Sequence, residues 1–211
     1  MIKESLYHTD WQKNRINFIL SLYPKEFFLG KRILELGSFN GYIGAYFQSL
    51  GAHVHCLEGR TENVVNIIND YPNITAEVAN LDTNEWIWGK WDIIINFGLY
   101  YHLEKYHKEH LINCISNCNL MFFETVIYDS KQSEIYFRSE PNDKFLDQSL
   151  SQIGGTPSTS FVENIFNNSD CFYQKYTSTE LNGGLHLYDW NDTGIGYYSE
   201  YYRRFWVVKN D

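Results

Sequence analysis

The chain has 211 residues, of which 44% are apolar and 18% aromatic, and its 17 Lys and Arg against 26 Asp and Glu give a formal charge of −9. A chain of this length buries about 70% of the surface that it exposes when unfolded, so we expect one globular domain over 1–211 and exclude disorder as its main state. The acidic balance argues against a nucleic-acid partner, because coating phosphates requires many Lys and Arg.

No apolar run approaches the roughly 20 residues that cross a bilayer, and the opening residues lack the apolar segment of a secretion signal. We therefore expect a cytoplasmic protein with no membrane partner. The four cysteines show neither C-x-x-C spacing nor a dense framework, so the sequence predicts neither a metal site nor disulfides.

The N-terminal segment, 1–30, is predicted to be helical. Thr9 and Gln12 form a capping box, and apolar residues at helical spacing follow until Pro24. The patterns that come next predict a strand, a helix and a second strand over 32–36, 41–50 and 53–58.

From residue 61 to residue 126 the same alternation continues. We expect Thr61 to cap a helix whose inward side chains are Val64, Val65, Ile67 and Ile68. Two strands are predicted over 74–79 and 91–96. A helix follows whose buried stripe is Leu111, Cys114, Ile115 and Cys118, and a strand over 120–126 comes after it. Strands that alternate with helices predict an α/β fold with a mostly parallel sheet covered on both faces.

The alternation of strands and helices ends after Val126. The polar stretch 127–155 is longer than an ordinary connection, so we interpret it as a substrate lid or an interface. Thr156 and Pro157 are expected to open a helix, and strands are predicted over 171–176 and 203–208. In the last strand Arg203 and Arg204 point to opposite faces, so at most one can reach a pocket.

An aromatic segment precedes that last strand. Stacking on a sugar or planar acceptor would explain it, but core or homodimer packing is favoured. Its members are Tyr188, Trp190, Tyr197, Tyr198, Tyr201 and Tyr202.

The turn after the first strand contains glycines at 37 and 41. In an open α/β sheet the ligand lies beyond the carboxyl ends of the strands, and Gly37 and Gly41 let the backbone turn sharply there, with the amide of Ser38 between them. A nicotinamide-type fingerprint would need a glycine where Phe39 stands.

Acidic residues follow the next two strands. Glu58 closes the second strand, where a carboxylate can accept both hydroxyls of a ribose. Asp82, after the third, can accept from an exocyclic amine, and Leu81 offers an apolar wall to a purine. Together these positions suit adenosine.

This set of residues resembles the class I S-adenosylmethionine-dependent methyltransferases over nearly the whole chain. The resemblance implies a Rossmann-like three-layer sandwich whose seven-stranded, mostly parallel sheet has an antiparallel last strand, and S-adenosylmethionine as the cofactor. It also implies roles for eight residues: the amino-acid end of the cofactor at Glu35, Gly37, Ser38 and Gly41, the ribose at Glu58, the adenine at Leu81 and Asp82, and the reacting sulfonium beside Asn96.

The stretch from Asn96 to Leu103 leaves the fourth strand at the point where a methyl donor would face. It is similar to the G-x-x-Y-H segment of a subgroup that includes the bacterial tRNA wobble-uridine carboxymethyltransferases, and Tyr101 and His102 match that segment. His102 is the first candidate for a general base and Tyr101 for orienting the acceptor or the cofactor. A histidine that caps a helix or satisfies a backbone carbonyl is the alternative.

Two further residues are weaker candidates. His186 is a reserve base, although a loop-stabilising role is favoured, and Glu124 could accept from a substrate hydroxyl or make a structural hydrogen bond. The sequence thus predicts O-methylation of a small-molecule or sugar acceptor. The alternatives are a tRNA-modifying (carboxy)methyltransferase, a non-catalytic cofactor-binding module and, less well matched, a nicotinamide-dependent oxidoreductase.

Overall fold

The computed structural model describes residues 9–84, 89–140 and 148–210. Their helices are α1 (Thr9–Leu22), α2 (Tyr42–Ser49), α3 (Thr61–Asp70), α4 (His107–Ser116) and α5 (Thr159–Asn167). The strands are β1 (Arg32–Leu36), β2 (His53–Glu58), β3 (Thr75–Val78), β4 (Trp91–Phe97), β5 (Cys118–Ser130), β6 (Ile135–Ser139), β7 (Ile153–Pro157), β8 (Cys171–Tyr176) and β9 (Ile195–Asn210). Short 3-10 turns occupy Lys25–Phe28, Tyr100–His102 and Thr179–Leu181.

Seven strands form one sheet in the order β3-β2-β1-β4-β5-β9-β8. The pairs from β3 to β5 are parallel, whereas β9 is antiparallel to both of its neighbours. This topology confirms the predicted Rossmann-like class with an antiparallel last strand. The chain reverses its direction of travel across the sheet at β1, and the crevice at that point is where such sheets bind ligands.

The core lies on both faces of this sheet. Ile33 of β1 packs in one cluster with side chains of α1, α2 and α3, including Ile19 and Phe47. Its neighbour Leu34 faces the opposite side, in a cluster to which α4 and α5 contribute, for example through Leu111. Alternate residues of a buried strand face opposite layers, which gives the three-layer arrangement.

Three helix predictions need correction. Arg60, not Thr61, occupies the position before α3, and its side chain makes no capping hydrogen bond. Val65 and Ile68 are about half exposed, at 50% and 46%, because one face of α3 covers the edge of the sheet and the other meets solvent. Cys118 is buried but begins β5 instead of ending α4. The N-terminal helix is confirmed, while the side chain of Thr9, half of the proposed capping box, lies outside the described residues.

The prediction that 127–155 is irregular is largely wrong. β5 continues to Ser130, and β6 pairs with β7 in a separate two-stranded sheet. Residues 141–147 of this stretch lie outside the described residues. Thr156 and Pro157 belong to β7, because the helix that follows begins only after Ser158, whose hydroxyl accepts the amide hydrogen of Phe161 (3.1 Å).

β9 begins at Ile195, eight residues before its predicted start at 203. Its first half is mostly exposed and lacks the apolar pattern of a buried strand. Among the described helices, none combines the length and apolar character needed to cross a bilayer.

Candidate cofactor and acceptor site

A cavity of about 570 Å³ opens at the carboxyl ends of the central strands. One end is lined by the turn after β1, the end of β2 and the loop after β3. The other end is lined by the turn after β4, the β6–β7 hairpin and two residues of the outer half of β9, Glu200 and Tyr201. The return segment 148–151 contacts both ends. Its volume lies within the roughly 300–1,000 Å³ typical of small-molecule sites.

The turn after β1 is held in left-handed backbone conformations. Gly37, Phe39 and Gly41 have φ values of 65°, 48° and 70°. A Cβ on Gly37 would lie 3.0 Å from the Cβ of Leu99, and one on Gly41 would lie 2.9 Å from a side-chain carbon of Ile67. Glycine is therefore required at both positions, while Phe39 adopts a conformation that is costly for a bulky residue.

Glu58 ties β2 to that turn. Its carboxylate accepts the amide hydrogens of Phe39 (2.9 Å) and Arg60 (3.1 Å) and a side-chain hydrogen of Asn63 (3.3 Å). The side chain lines the cavity although the residue is only 7% exposed, and burial raises its pKa. Oε1 accepts two of these hydrogens and Oε2 accepts one. Each carboxylate oxygen has two lone pairs, so Glu58 can still accept one hydroxyl hydrogen, at Oε2, and not the two that we expect from the sequence.

Leu81 and Asp82 also line the cavity. Asp82 accepts the amide hydrogens of Glu104 (3.0 Å) and Lys105 (2.8 Å), one on each carboxylate oxygen, and burial raises its pKa. These bonds join the loop after β3 to the segment after the Tyr100–His102 turn. Asp82 therefore helps to fix the shape of this end of the cavity, and its contact with an adenine amine stays a prediction.

Glu35 does not line the cavity. Its carboxylate is buried under α2, where it accepts the amide hydrogen of Gly44 (2.9 Å) and the thiol hydrogen of Cys56 (3.4 Å). Burial raises the pKa of Glu35 to about 8. Glu35 therefore stabilises the glycine turn from below, and it does not contact the cavity where a cofactor would bind.

Ser38, Gly41 and Asn96 likewise lie outside the cavity lining. The Ser38 hydroxyl donates to the carbonyl oxygen of Glu35 (3.1 Å), which stabilises the turn. Asn96 is fully buried, with Nδ2 at 2.9 Å from Nε2 of His110. Of the eight predicted cofactor residues, Gly37, Glu58, Leu81 and Asp82 converge on the cavity and the other four support its walls.

Tyr101 and His102 line the opposite end of the cavity, at the Tyr100–His102 turn. His102 Nδ1 makes a short hydrogen bond with the carboxylate of Glu140, and the Tyr101 hydroxyl accepts from the guanidinium of Arg203 (3.3 Å). The structure thus places His102 against a carboxylate instead of a backbone carbonyl or a helix end. Glu140 follows β6 in the stretch that the sequence presents as irregular, and no local pattern singles it out.

Glu124 lies beneath this end of the cavity, fully buried and outside its lining. It pairs with Arg15 (2.7 Å) and Arg203 (3.0 Å) and accepts the hydroxyl hydrogen of Tyr188 (3.0 Å). Burial alone would raise the pKa of Glu124, but the two guanidinium groups outweigh it and lower the pKa. Glu124 is therefore a structural anion that holds Arg203 at the cavity wall.

The remaining candidates divide between the cavity and the core. His186 lines the cavity, and its backbone pairs with Gly183 across a tight loop. Tyr201 and Arg203 also line it, whereas Arg204 lies 3.8 Å from the ring centre of Trp190. Elsewhere in the aromatic segment Tyr188 is fully buried and Trp190 stacks on Tyr202, with ring centres 4.4 Å apart. Packing accounts for these three side chains.

No protein-family model matches the sequence, and no curated protein matches it either. Solved structures do match the fold. The N-terminal domain of EvdMO1, crystallised in the presence of SAH and D-fucose, is 17% identical with a TM-score of 0.68, covering 98% of this chain and 85% of that one. An S-adenosylmethionine-dependent methyltransferase from Mesorhizobium loti is 13% identical with a TM-score of 0.64, covering 93% and 98%. Magnesium protoporphyrin IX methyltransferase from Synechocystis with bound SAM is 12% identical with a TM-score of 0.60, covering 95% and 79%.

These likenesses, together with the strand order, show that the chain has the class I methyltransferase fold. The fold places the carboxyl ends of β1, β2 and β4 around one crevice, which is where Gly37, Glu58 and Leu99 line the cavity.

Proposed function

We propose that this protein is an S-adenosylmethionine-dependent methyltransferase that acts on a hydroxyl of a small-molecule or sugar acceptor. The observation that carries the proposal is the position of Glu58. Its carboxylate is fixed to the glycine turn through Phe39 and faces a cavity whose next wall is Leu81 and Asp82. A carboxylate at this point of a doubly wound sheet suits a ribose, and the apolar wall beside it suits a purine.

The residues present fit the cofactor. The cavity volume is sufficient for an adenosine with an amino-acid tail, and the left-handed backbone at Gly37 brings the turn against the lining without a Cβ in the way. We assign Gly37 to the amino-acid end, Glu58 to the ribose, and Leu81 and Asp82 to the adenine. S-adenosylmethionine supplies a methyl group activated by a positively charged sulfur.

The acceptor end differs in chemistry from the cofactor end. It combines hydrogen-bonding side chains with aromatic surfaces, a mixture that suits a hydroxylated acceptor. Its members are Trp11, Tyr101, His102, Arg138, His186 and Tyr201. The EvdMO1 domain, which shares the fold, was crystallised with SAH and D-fucose, and this supports a sugar among the acceptors to be tested.

The described parts of 127–155 cover this cavity. The guanidinium of Arg60 donates to the carbonyl oxygen of Gln148 (3.0 Å), and a Cβ on Gly59 would lie 2.8 Å from a methyl carbon of Leu150. The return segment therefore packs directly on residues that follow Glu58. We infer that this part of the single domain is a substrate lid, and the chain's acidic charge disfavours the tRNA alternative.

Incubation with S-adenosylmethionine and three groups of candidate acceptors tests the proposal: free hexoses, small phenols and total tRNA. We expect S-adenosylhomocysteine and a methylated small molecule, detected by mass spectrometry. Product formed with tRNA alone would support the tRNA-modifying alternative. Tight cofactor binding without product from any acceptor would support a non-catalytic module.

A further inference from the structure

The carboxylate of Glu140 lies at the acceptor end of the cavity and contacts His102. Its Oε2 is in short hydrogen-bond contact with Nδ1 of His102, and no described residue makes a hydrogen bond to Nε2 of that ring. The His102 side chain is 14% exposed and lines the cavity, whereas that of Glu140 is 1% exposed. One ring nitrogen is thus occupied by a buried carboxylate and the other is left for the cavity.

An ionised carboxylate only accepts hydrogen bonds, so the ring nitrogen facing it must carry a proton. Burial alone would raise the pKa of Glu140, but the hydrogen bond from His102 and the positive charge of Arg138 outweigh it and lower the pKa. Glu140 is therefore ionised at neutral pH. A neutral His102 beside it has its hydrogen on Nδ1 and its lone pair on Nε2.

Glu140 is itself held rigidly. Arg138, two residues earlier along the hairpin, forms an ion pair with Oε1, and the amide of Ser149 donates to Oε2 (2.8 Å). The backbone amide of Glu140 also donates to the carbonyl oxygen of Gln152 (2.8 Å), which continues the hairpin pairing. Residues of β6 and residues that lead into β7 therefore both hold the Glu140 carboxylate in place.

Close backbone packing sets the distance between the hairpin and the turn that carries His102. A Cβ on Gly154 of β7 would lie 2.7 Å from the carbonyl oxygen of Tyr101. Glycine at this point lets the two backbones approach. The position of Glu140 relative to His102 thus follows from the fold and does not depend on flexible side chains alone.

We propose that Glu140 is a positioning residue that holds neutral His102 as the Nδ1–H tautomer, so that Nε2 can take the proton of the acceptor hydroxyl. This inference rests on the proposed function for its chemical meaning. In the step, the acceptor O–H bond breaks, its proton forms an N–H bond at Nε2, and the electron pair stays on the acceptor oxygen, which becomes the nucleophile. The resulting imidazolium keeps its Nδ1 proton, and Glu140 balances its charge.

Nitrogen-15 NMR of the histidine rings, with His102→Asn to assign the His102 signals, tests the tautomer directly in the intact protein. We expect the neutral ring of wild-type His102 to carry its one N–H hydrogen on Nδ1. In Glu140→Gln both tautomers should be populated, because the amide group can either accept from Nδ1 or donate to it. Glu134→Gln is the matched control, since it removes the same charge from the same hairpin without touching His102, and it should leave the tautomer unchanged.

Finding wild-type His102 in the Nε2–H form would overturn the proposal, and this result does not depend on whether Glu140→Gln folds. A folded Glu140→Gln protein whose His102 stays entirely in the Nδ1–H form would also overturn it. The affinity for S-adenosylhomocysteine, measured on the same samples, separates the two hypotheses. It should change less than about twofold in Glu140→Gln. If wild type fails to bind S-adenosylhomocysteine but His102 is the Nδ1–H tautomer, the methyltransferase proposal fails and the assignment of Glu140 to His102 stands.

Discussion

Glu35 is a buried carboxyl group with no cation among its described partners, and it makes folding stability depend on pH. We predict that Glu35→Gln stabilises the protein increasingly as pH rises from 4.5 to 8. The pKa of Glu35 is raised from 4.5 to about 8 by burial, against the opposing effect of the hydrogen bonds from Cys56 and Gly44. The glutamine side chain has nearly the same shape and can still accept from Gly44.

The direction of the pH dependence follows from the number of protons that the folded and unfolded chains bind. Between pH 4.5 and 8 the unfolded chain has lost the Glu35 proton while the folded chain keeps it, so the free energy of unfolding falls as pH rises. Each pH unit in this window costs about 1.4 kcal/mol. The wild type therefore loses on the order of 3 kcal/mol from this group between about pH 5 and 7.5, and about 5 kcal/mol in full above pH 8.

Urea unfolding followed by tryptophan fluorescence, at several pH values for both proteins, measures this effect. The quantity to compare is the difference between the two unfolding free energies, because contributions of other titrating groups cancel in it. We expect Glu35→Gln to gain on the wild type by about 3 kcal/mol over that range. A difference that is constant with pH would refute the conclusion that Glu35 is protonated in the folded protein.

Three further predictions concern the surroundings of the site. Gly44→Ala should destabilise the protein by about 1–3 kcal/mol in the same urea assay despite alanine's higher helix propensity, since the new Cβ would lie 2.5 Å from Glu35 Oε2; an increase in stability would contradict this. Glu124→Ala should cost about 3–5 kcal/mol by chemical unfolding, because it leaves the guanidinium groups of Arg15 and Arg203 buried without their shared anion, and a loss below about 1 kcal/mol would argue against that network. Burial lowers the pKa of His110 to about 3, so this residue should make the protein less stable as pH falls below 6.5. His110→Gln should therefore reduce the loss of unfolding free energy at acid pH, and an unchanged loss would show that the ring is not buried in its neutral form.

Three parallel strands, β1, β2 and β4, could be predicted from the sequence almost to the residue, whereas β5 begins two residues earlier and ends four residues later than its predicted range 120–126. β1 and β2 match their predicted bounds and β4 is one residue longer, because strands buried on both faces appear as short apolar runs between turns. The outer half of β9 and β6 could not be predicted, since they are largely exposed and lack a continuous apolar pattern. β7 is mostly buried, but its sequence Ile-Gly-Gly-Thr-Pro has no apolar run that would mark a strand.

The site was predictable only in part for a related reason. Motif spacing identifies the turn around Gly37 but does not say which layer a side chain faces. Glu35 alternates with Leu34 and shares the side of Ile33, so its carboxylate lies under α2. Glu140 lies 38 residues from His102, and the two meet only through pairing of the hairpin, which no short-range pattern encodes.

We propose that Glu58 and the glycine turn form an adenosine site. Titration calorimetry of wild type and Glu58→Ala with S-adenosylhomocysteine tests it most directly. We predict that wild type binds one equivalent and that the variant binds at least about tenfold more weakly, since hydrogen bonds to a charged group contribute about 1.5–3 kcal/mol. No binding by the wild type at millimolar ligand, or equal affinities for the two proteins, would contradict the account.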